Sequence, residues 1–362
     1  MAARRRQRLR RLAVPVLIVV LAIVALIVYR NQPPPSPWGS TMQLATPHGT
    51  GGVAWSPDGA QVATGGTATD SVVRIWNAGS GALIHTIAEP SNSRTRAVAW
   101  SPSGAYLAIA QQPAASKGST PTGPLLQLWQ TGTWTAQSGS PAHVAAAVAL
   151  SFSPDGKAIA AQNTSATQIL AVPNLATRKA LIKNPLQALS FATVLAWAPR
   201  GGLIAISDGN AEIVLLHVQS LQVKHILQLS GTYPTNLIGG AAWSPSGAQI
   251  AIANIGGNVS VFDVATGHVV RTISAAQHGA STMAWAPDGR RLAVGGNNSL
   301  AIYDTRSGTV LRRQAAPGDA QGAVATGNQV VGLAWSPDGR RLAVSGSAAY
   351  TRIWQPAATG GS

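Results

Sequence analysis

The phrase Val53-Ala-Trp-Ser-Pro-Asp-Gly59 is written seven times in this chain, and that repetition constrains the fold more than any other feature. It returns as VAWSPSG at 98–104, LSFSPDG at 150–156, LAWAPRG at 195–201, AAWSPSG at 241–247, MAWAPDG at 283–289 and LAWSPDG at 333–339. Its aromatic residues are Trp55, Trp100, Phe152, Trp197, Trp243, Trp285 and Trp335, at successive gaps of 45, 52, 45, 46, 42 and 50. Around each phrase the chain reads as a short apolar strand, a turn and a second apolar strand. Ser-Pro-Asp-Gly suits a type I turn, with Ser favoured first, Pro second and Gly fourth, so no ligand is needed to explain it.

A period in the forties with strand-like content predicts an all-β, seven-bladed β-propeller, with one four-stranded blade per repeat. Third strands follow as VVRIW (72–76), LLQLW (125–129), NVSVF (258–262), LAIY (300–303) and TRIW (351–354), and fourth strands as SGALIHTI (80–87) and TGHVVRTI (266–273). Nine of the eleven tryptophans fall in first or third strands, leaving Trp38 and Trp134 outside.

Over roughly residues 40–355 the chain resembles the WD-repeat family, of a bacterial membrane-anchored type, although Tol-type propellers share SPDG. The namesake Trp-Asp pair is altered throughout, as Trp76-Asn77, Trp129-Gln130, Phe262-Asp263, Tyr303-Asp304 and Trp354-Gln355. Of the family's buried His–Asp network, Asp70 matches the aspartate and His143 stands at about the right distance before its turn, whereas Gly256, Asn297 and Ala348 occupy equivalent aspartate positions. The last repeat lacks a fourth strand and a spare segment, TMQLAT (41–46), precedes the first. The resemblance implies that this segment, within a 40–46 closing strand, pairs beside Tyr350–Trp354 so that no sheet edge stays open. It also implies that the face bearing the strand 4-to-1 and 2-to-3 loops, the longest being Gln111–Pro124 and Gln314–Gln329, docks partners.

The flank of this propeller carries a different signal. Arg4, Arg5, Arg6, Arg8, Arg10 and Arg11 fill a basic segment, 1–11, before the uncharged run Leu12–Tyr29. Eighteen such residues make a helix of about 27 Å, near the hydrocarbon thickness of a bilayer. One N-terminal transmembrane helix is therefore expected, with the six arginines setting the N-terminus in the cytoplasm and the propeller outside. A cleavable signal peptide is the competing reading; the length of the run and the absence of a small-x-small site favour an uncleaved signal-anchor. Residues 30–39 read as a proline-rich linker and 356–362 as a flexible tail. The Ala/Gly-rich composition and simple anchor suggest a bacterial chain.

Formal charge is +15, but seven arginines lie in residues 1–30 and the other 332 residues carry only 19 Lys+Arg against 11 Asp+Glu, without a basic stripe among aromatics. Nucleic acid is thus not an expected partner. With no cysteine, thiolate chemistry and disulfides are excluded. Of the eleven acids, Asp58, Asp155, Asp288 and Asp338 sit in the turns and Asp263 and Asp304 follow third-strand aromatics, while Asp208, Glu212, Glu89 and Asp319 read as lying in or near loops. A metal ring of turn aspartates is broken by Ser103, Ser246 and Arg200, and the seven histidines are scattered without metal spacing. No catalytic, cofactor or metal site is expected.

The expected function is a non-enzymatic, membrane-anchored platform for protein partners on its loop face, with a propeller that is itself monomeric. Alternatives are a ligand- or cofactor-using propeller of quinoprotein or lactonase type, which convergent acids or a basic pocket at the axial channel would favour, and a Tol-like envelope component. Arg290, Arg291, Arg340 and Arg341, just after two SPDG-type turns on the tether side, are candidate membrane-facing residues.

Overall fold

The structure is a computed structural model that describes residues 41–89, 93–113, 126–137, 147, 149–162, 166–183, 194–207, 211–231, 237–275, 279–297, 299–315, 329–347 and 350–355. The basic segment, the 12–29 run, the linker and the tail lie outside the described residues, as do His143, Asp208, Asp319 and most of the two long loops. Among the described residues there is no helix, and so none long and apolar enough to cross a membrane.

The strands form seven antiparallel four-stranded sheets. Six of them use consecutive strands, beginning with Val53–Trp55, Ser93–Trp100, Ala149–Phe152, Leu195–Trp197, Ile238–Trp243 and Thr282–Trp285. The seventh takes Val330–Trp335, Leu342–Gly346 and Tyr350–Trp354 from the C-terminal end and Thr41–Ala45 from the N-terminal end. Thr41 pairs with Trp354 and Ala45 with Tyr350, the closure expected from the sequence. First strands touch in cyclic order, blade seven against blade one included, so the sheets close into a ring.

Why these residues make blades follows from their burial. Second strands are buried on both faces, as in Val62-Ala63-Thr64 and Ile250 to Asn254, because each sheet is packed between two others. Outer strands expose most of their residues and anchor through one aliphatic side chain, Ile87, Leu227 or Ile273. The core is accordingly a series of clusters between neighbouring blades. Ile213 and Leu215 of blade four pack with Trp243, Ile250 and Phe262 of blade five, and Leu44 of the closing strand with Trp55 and Trp76 of blade one.

The seven turns are built as the sequence indicates. In blade one the Gly59 N–H donates to the Ser56 carbonyl at 2.9 Å, and the Ser56 hydroxyl donates to Asp58 while accepting from the Gln61 N–H. The fourth-position glycines all have positive φ, from 68° at Gly339 to 83° at Gly201, a region only glycine enters cheaply. A methyl group at Gly59 would also sit 3.5 Å from Pro337 of the preceding blade's turn, and one at Gly104 would sit 3.7 Å from Pro57. Six of the seven phrase glycines thus lie beside the proline of the preceding turn, with room for ordinary contact and Gly289 the exception.

Candidate ligand-binding channel and the faces of the ring

The turn-bearing face is held together by its own side chains. Asp58, Asp155 and Asp338 are held below the usual carboxylate range chiefly by the hydroxyls of Ser56, Ser153 and Ser336. Asp263 and Asp304 cap the turns into the outer strands, each accepting from a backbone N–H and a hydroxyl of Thr266 or Ser307. Asn77 does the same for the N–H groups of Gly79 and Ser80, which explains why Asn replaces Asp there without loss of the turn. In blade one the Trp76 indole N–H donates to Thr64, while Asp70, at the expected aspartate position, forms a two-point pair with Arg74 at 2.7 and 3.1 Å.

The four candidate membrane-facing arginines divide into two kinds. Arg290 and Arg340 are exposed. Arg291 and Arg341 instead reach across seams. Arg341 lies 4.6 Å from the ring centre of Trp55 and donates to the carbonyls of Ala78 and Gly59, all in blade one. Arg291 lies 4.7 Å from that of Trp335 and donates to the Gly339 carbonyl in blade seven. The repeat aromatics fasten the ring in the other direction. The indoles of Trp55, Trp243 and Trp335 donate to Ala334, Ala196 and Ala284 of the preceding blades, while Trp197 and Trp285 donate to their own turns. Trp100 is half-buried and packs edge-on to Trp134, which stacks on His85, so Trp134 has a packing role despite lying outside the repeat. Phe152 is buried in the seam between blades two and three.

In blade three the position equivalent to Arg291 and Arg341 is Ala158. The seam it borders, over Trp197, is left as a groove of about 690 Å³ rimmed by Lys157, Arg178, Arg200 and His217.

The larger candidate site is the axial channel, a cavity of about 760 Å³ to which all seven blades contribute. Its wall is mostly small and neutral, with Gly51, Gly66, Ala97, Ala149, Ala196 and Gly240 among the lining. It opens away from the SPDG turns, beside the N-terminal halves of the first strands. Two aliphatic side chains in the lining are exposed, Ile255 at 43 % and Val331 at 41 %. Among the described residues the charged side chains of the lining are Arg94 and Arg96, both from blade two, and no acid shares it. Arg94 is braced by a 3.0 Å bond to Gln112 on the adjacent strand.

Arg96 occupies a bulge: Thr95 pairs with Gln111 and Ala97 with Ala110, so Arg96 has no partner across the ladder. Equivalent irregularities set Gly239 and Val331 into the same lining from blades five and seven. A bulge turns its extra residue out of the regular alternation. That is why strand periodicity did not reveal Arg96 as a channel residue; the basic Arg94-x-Arg96 spacing was the available signal.

Glu89 stands behind this wall. Sequence position suggested a loop residue, but it is only 8 % exposed and accepts the Thr95 hydroxyl, which itself accepts from the Gly66 N–H. Burial pushes its carboxyl up, and hydrogen bonding from Thr95 and Gln111 offsets this only in part. Among the described residues no three His, Asp or Glu side chains gather where a metal ion could be held.

Family models and curated proteins match parts of the chain. The model for the WD40 domain of anaphase-promoting complex subunit 4 matches residues 195–286, and the model for the WD domain, G-beta repeat, matches 42–77 and 322–355. A mouse U3 small nucleolar RNA-associated protein 4 homolog is 29 % identical over 126 residues, 33 % of this chain and 17 % of that protein. A nematode (Caenorhabditis elegans) retinoblastoma-binding protein homolog 5 is 35 % identical over 68 residues, 18 % of this chain and 15 % of its own. The aligned segments thus span less than a fifth of either relative. Both are animal proteins and lend no support to a bacterial, membrane-anchored type. Repeat phrase, blade topology and family models agree that the chain carries WD40 repeats arranged as a seven-bladed β-propeller.

Proposed function

We propose that this protein is a membrane-anchored, non-enzymatic platform that binds other proteins through the face on which the axial channel opens. The observation that carries the reading is the channel mouth, where seven blades converge and Ile255 and Val331 present aliphatic surface to solvent. Exposed aliphatic side chains at the entrance to a concavity suit a polypeptide partner. One of the matched relatives is named for binding a protein, which agrees with this reading. The anchor rests on the uncharged run Leu12–Tyr29 behind six arginines.

Purification of the full-length protein in mild detergent, with mass spectrometry of what accompanies it, tests the platform. A protein partner retained by the wild type and lost from the Ile255→Glu, Val331→Glu double variant is the expected result. A stoichiometric small molecule with no protein partner would instead establish the second reading, a ligand-holding propeller, which the basic pocket in the channel favours.

On the opposite face, contact with anionic lipid headgroups falls to the exposed Arg290 and Arg340, because Arg291 and Arg341 are engaged across seams. Replacing Arg290 and Arg340 with Gln should weaken binding of the propeller to phosphatidylserine vesicles. Unchanged binding would remove that part of the proposal.

A further inference from the structure

Arg94 and Arg96 put two positive charges into a cavity whose described lining holds no acid. No described ion pair involves Arg96, and the acids nearest in sequence are used elsewhere, Glu89 on Thr95 and Asp70 on Arg74. Burial, and then the adjacent charge of Arg94, make the protonated Arg96 guanidinium less favourable than it is in water. A cation withdrawn from water beside another cation is costly unless an anion joins it. A guanidinium offers a planar fork of donors that matches a carboxylate. An anion brought from outside would meet two guanidinium groups here and no competing acid among the described lining.

The rest of the lining narrows what kind of anion. A free inorganic ion would make no use of Ile255 and Val331, which reach the channel from blades five and seven and are both over 40 % exposed. A single-stranded nucleic acid wants aromatic faces for its bases and a track of cations for its phosphates. The described lining supplies no aromatic side chain, and its two cations are two residues apart on one strand. The volume, about 760 Å³, falls within the range of pockets that enclose a ligand or a short chain segment. We infer that the axial channel receives an acidic polypeptide segment, one carboxylate clasped between Arg94 and Arg96 and a nearby aliphatic side chain set against Ile255 and Val331. This deepens the platform reading and rests on it.

The bulge at Arg96 makes the pocket specific to one side of the ring. Bulges at the same level in blades five and seven deliver Gly239 and Val331, so one structural device supplies clearance, apolar contact and charge at three points around the channel. A segment entering the mouth meets charge on blade two and aliphatic surface on blades five and seven, which fixes its orientation.

The test uses the full-length protein in detergent and a fluorescein-labelled peptide of alternating Glu and Leu, with a Lys-Leu peptide and an oligouridylate as comparisons. Saturable binding of the Glu-Leu peptide is expected, weakening as salt is raised. Arg96→Met should reduce it by at least about tenfold, the loss of a charge-assisted pair. In the absence of peptide Arg96→Met should unfold no earlier than wild type, because an unpaired, partly buried charge has been removed. Arg94→Gln, at an exposed position, provides a second variant should the first fail to fold, and should weaken the peptide in the same direction.

Equal affinity of wild type and both variants for the Glu-Leu peptide would overturn the inference, as would preference for the Lys-Leu peptide or the oligouridylate. The two readings fail separately. A cellular partner still held by Arg96→Met would leave the platform standing without this channel chemistry, whereas arginine-dependent peptide binding with no partner lost from the Ile255→Glu, Val331→Glu variant would do the reverse.

Discussion

Adjacent arginines with the same sequence context do different work in this ring. Arg340 and Arg341 both follow an SPDG turn, yet one is exposed and the other lies over Trp55 with two carbonyls of blade one as acceptors. Arg341→Ala should cost about 1–3 kcal/mol, a cation–π contact and hydrogen bonds to a charged donor being lost together. Arg340→Ala should stay within about 0.5 kcal/mol, as exposed substitutions generally do. Urea denaturation of the two variants measures the difference, and equal effects would show that the seam contact contributes little. The distinction was not legible in the sequence, because the groups that receive Arg341 lie 263 and 282 residues away. Arg96 escaped for a different reason: its direction is set by a bulge, which strand alternation does not encode. Glu89 looked like a loop acid because its partner, Thr95, belongs to the next blade's first strand.

The repeated phrase, by contrast, was legible in full at the level of the element, since a turn is fixed by four consecutive residues and needs no distant partner. The closing strand was legible too, from a missing fourth strand at one end and a spare one at the other. Thr41–Ala45 supplies the outer edge of blade seven and buries Leu44 completely against blade one. Leu44→Ala should destabilise the ring by about 2–5 kcal/mol, in the range for a fully buried leucine. Leu44→Asp, which places a charge in the same seam, should leave the edge Tyr350–Trp354 exposed and promote association between rings. Thermal unfolding and light scattering check these outcomes; a Leu44→Asp protein that stays monodisperse and as stable as Leu44→Ala would mean that closure does not depend on this contact.

At the scale of the whole molecule the seven seams are chemically unequal. Two carry an arginine across a tryptophan, while the seam after blade three has Ala158 in that place and an open groove. Composition and period announced seven blades but could not rank the seams, because each seam is a meeting of residues some forty to fifty positions apart, and of the two ends of the chain in one case. The repeat is a building block, and single blades depart from it, blade two with the bulge at Arg96 and blades six and seven with Arg291 and Arg341.

The position of the chain ends has a mechanical consequence. Thr41 pairs with Trp354, as does Leu342, the first residue of the strand leaving the SPDG turn, so the chain preceding Thr41 joins the ring on its turn side. The channel mouth lies on the other face of the ring. A pull on the N-terminus against a partner seated in the mouth runs along the closing strand and strains its five pairings side by side, as shear. The same pull opposed at the C-terminus would part Thr41 from Trp354 first and peel the ladder one pairing at a time. By this geometry the closing strand resists a pull on its N-terminal end opposed in the mouth, and yields more readily to a pull between the two ends of the chain.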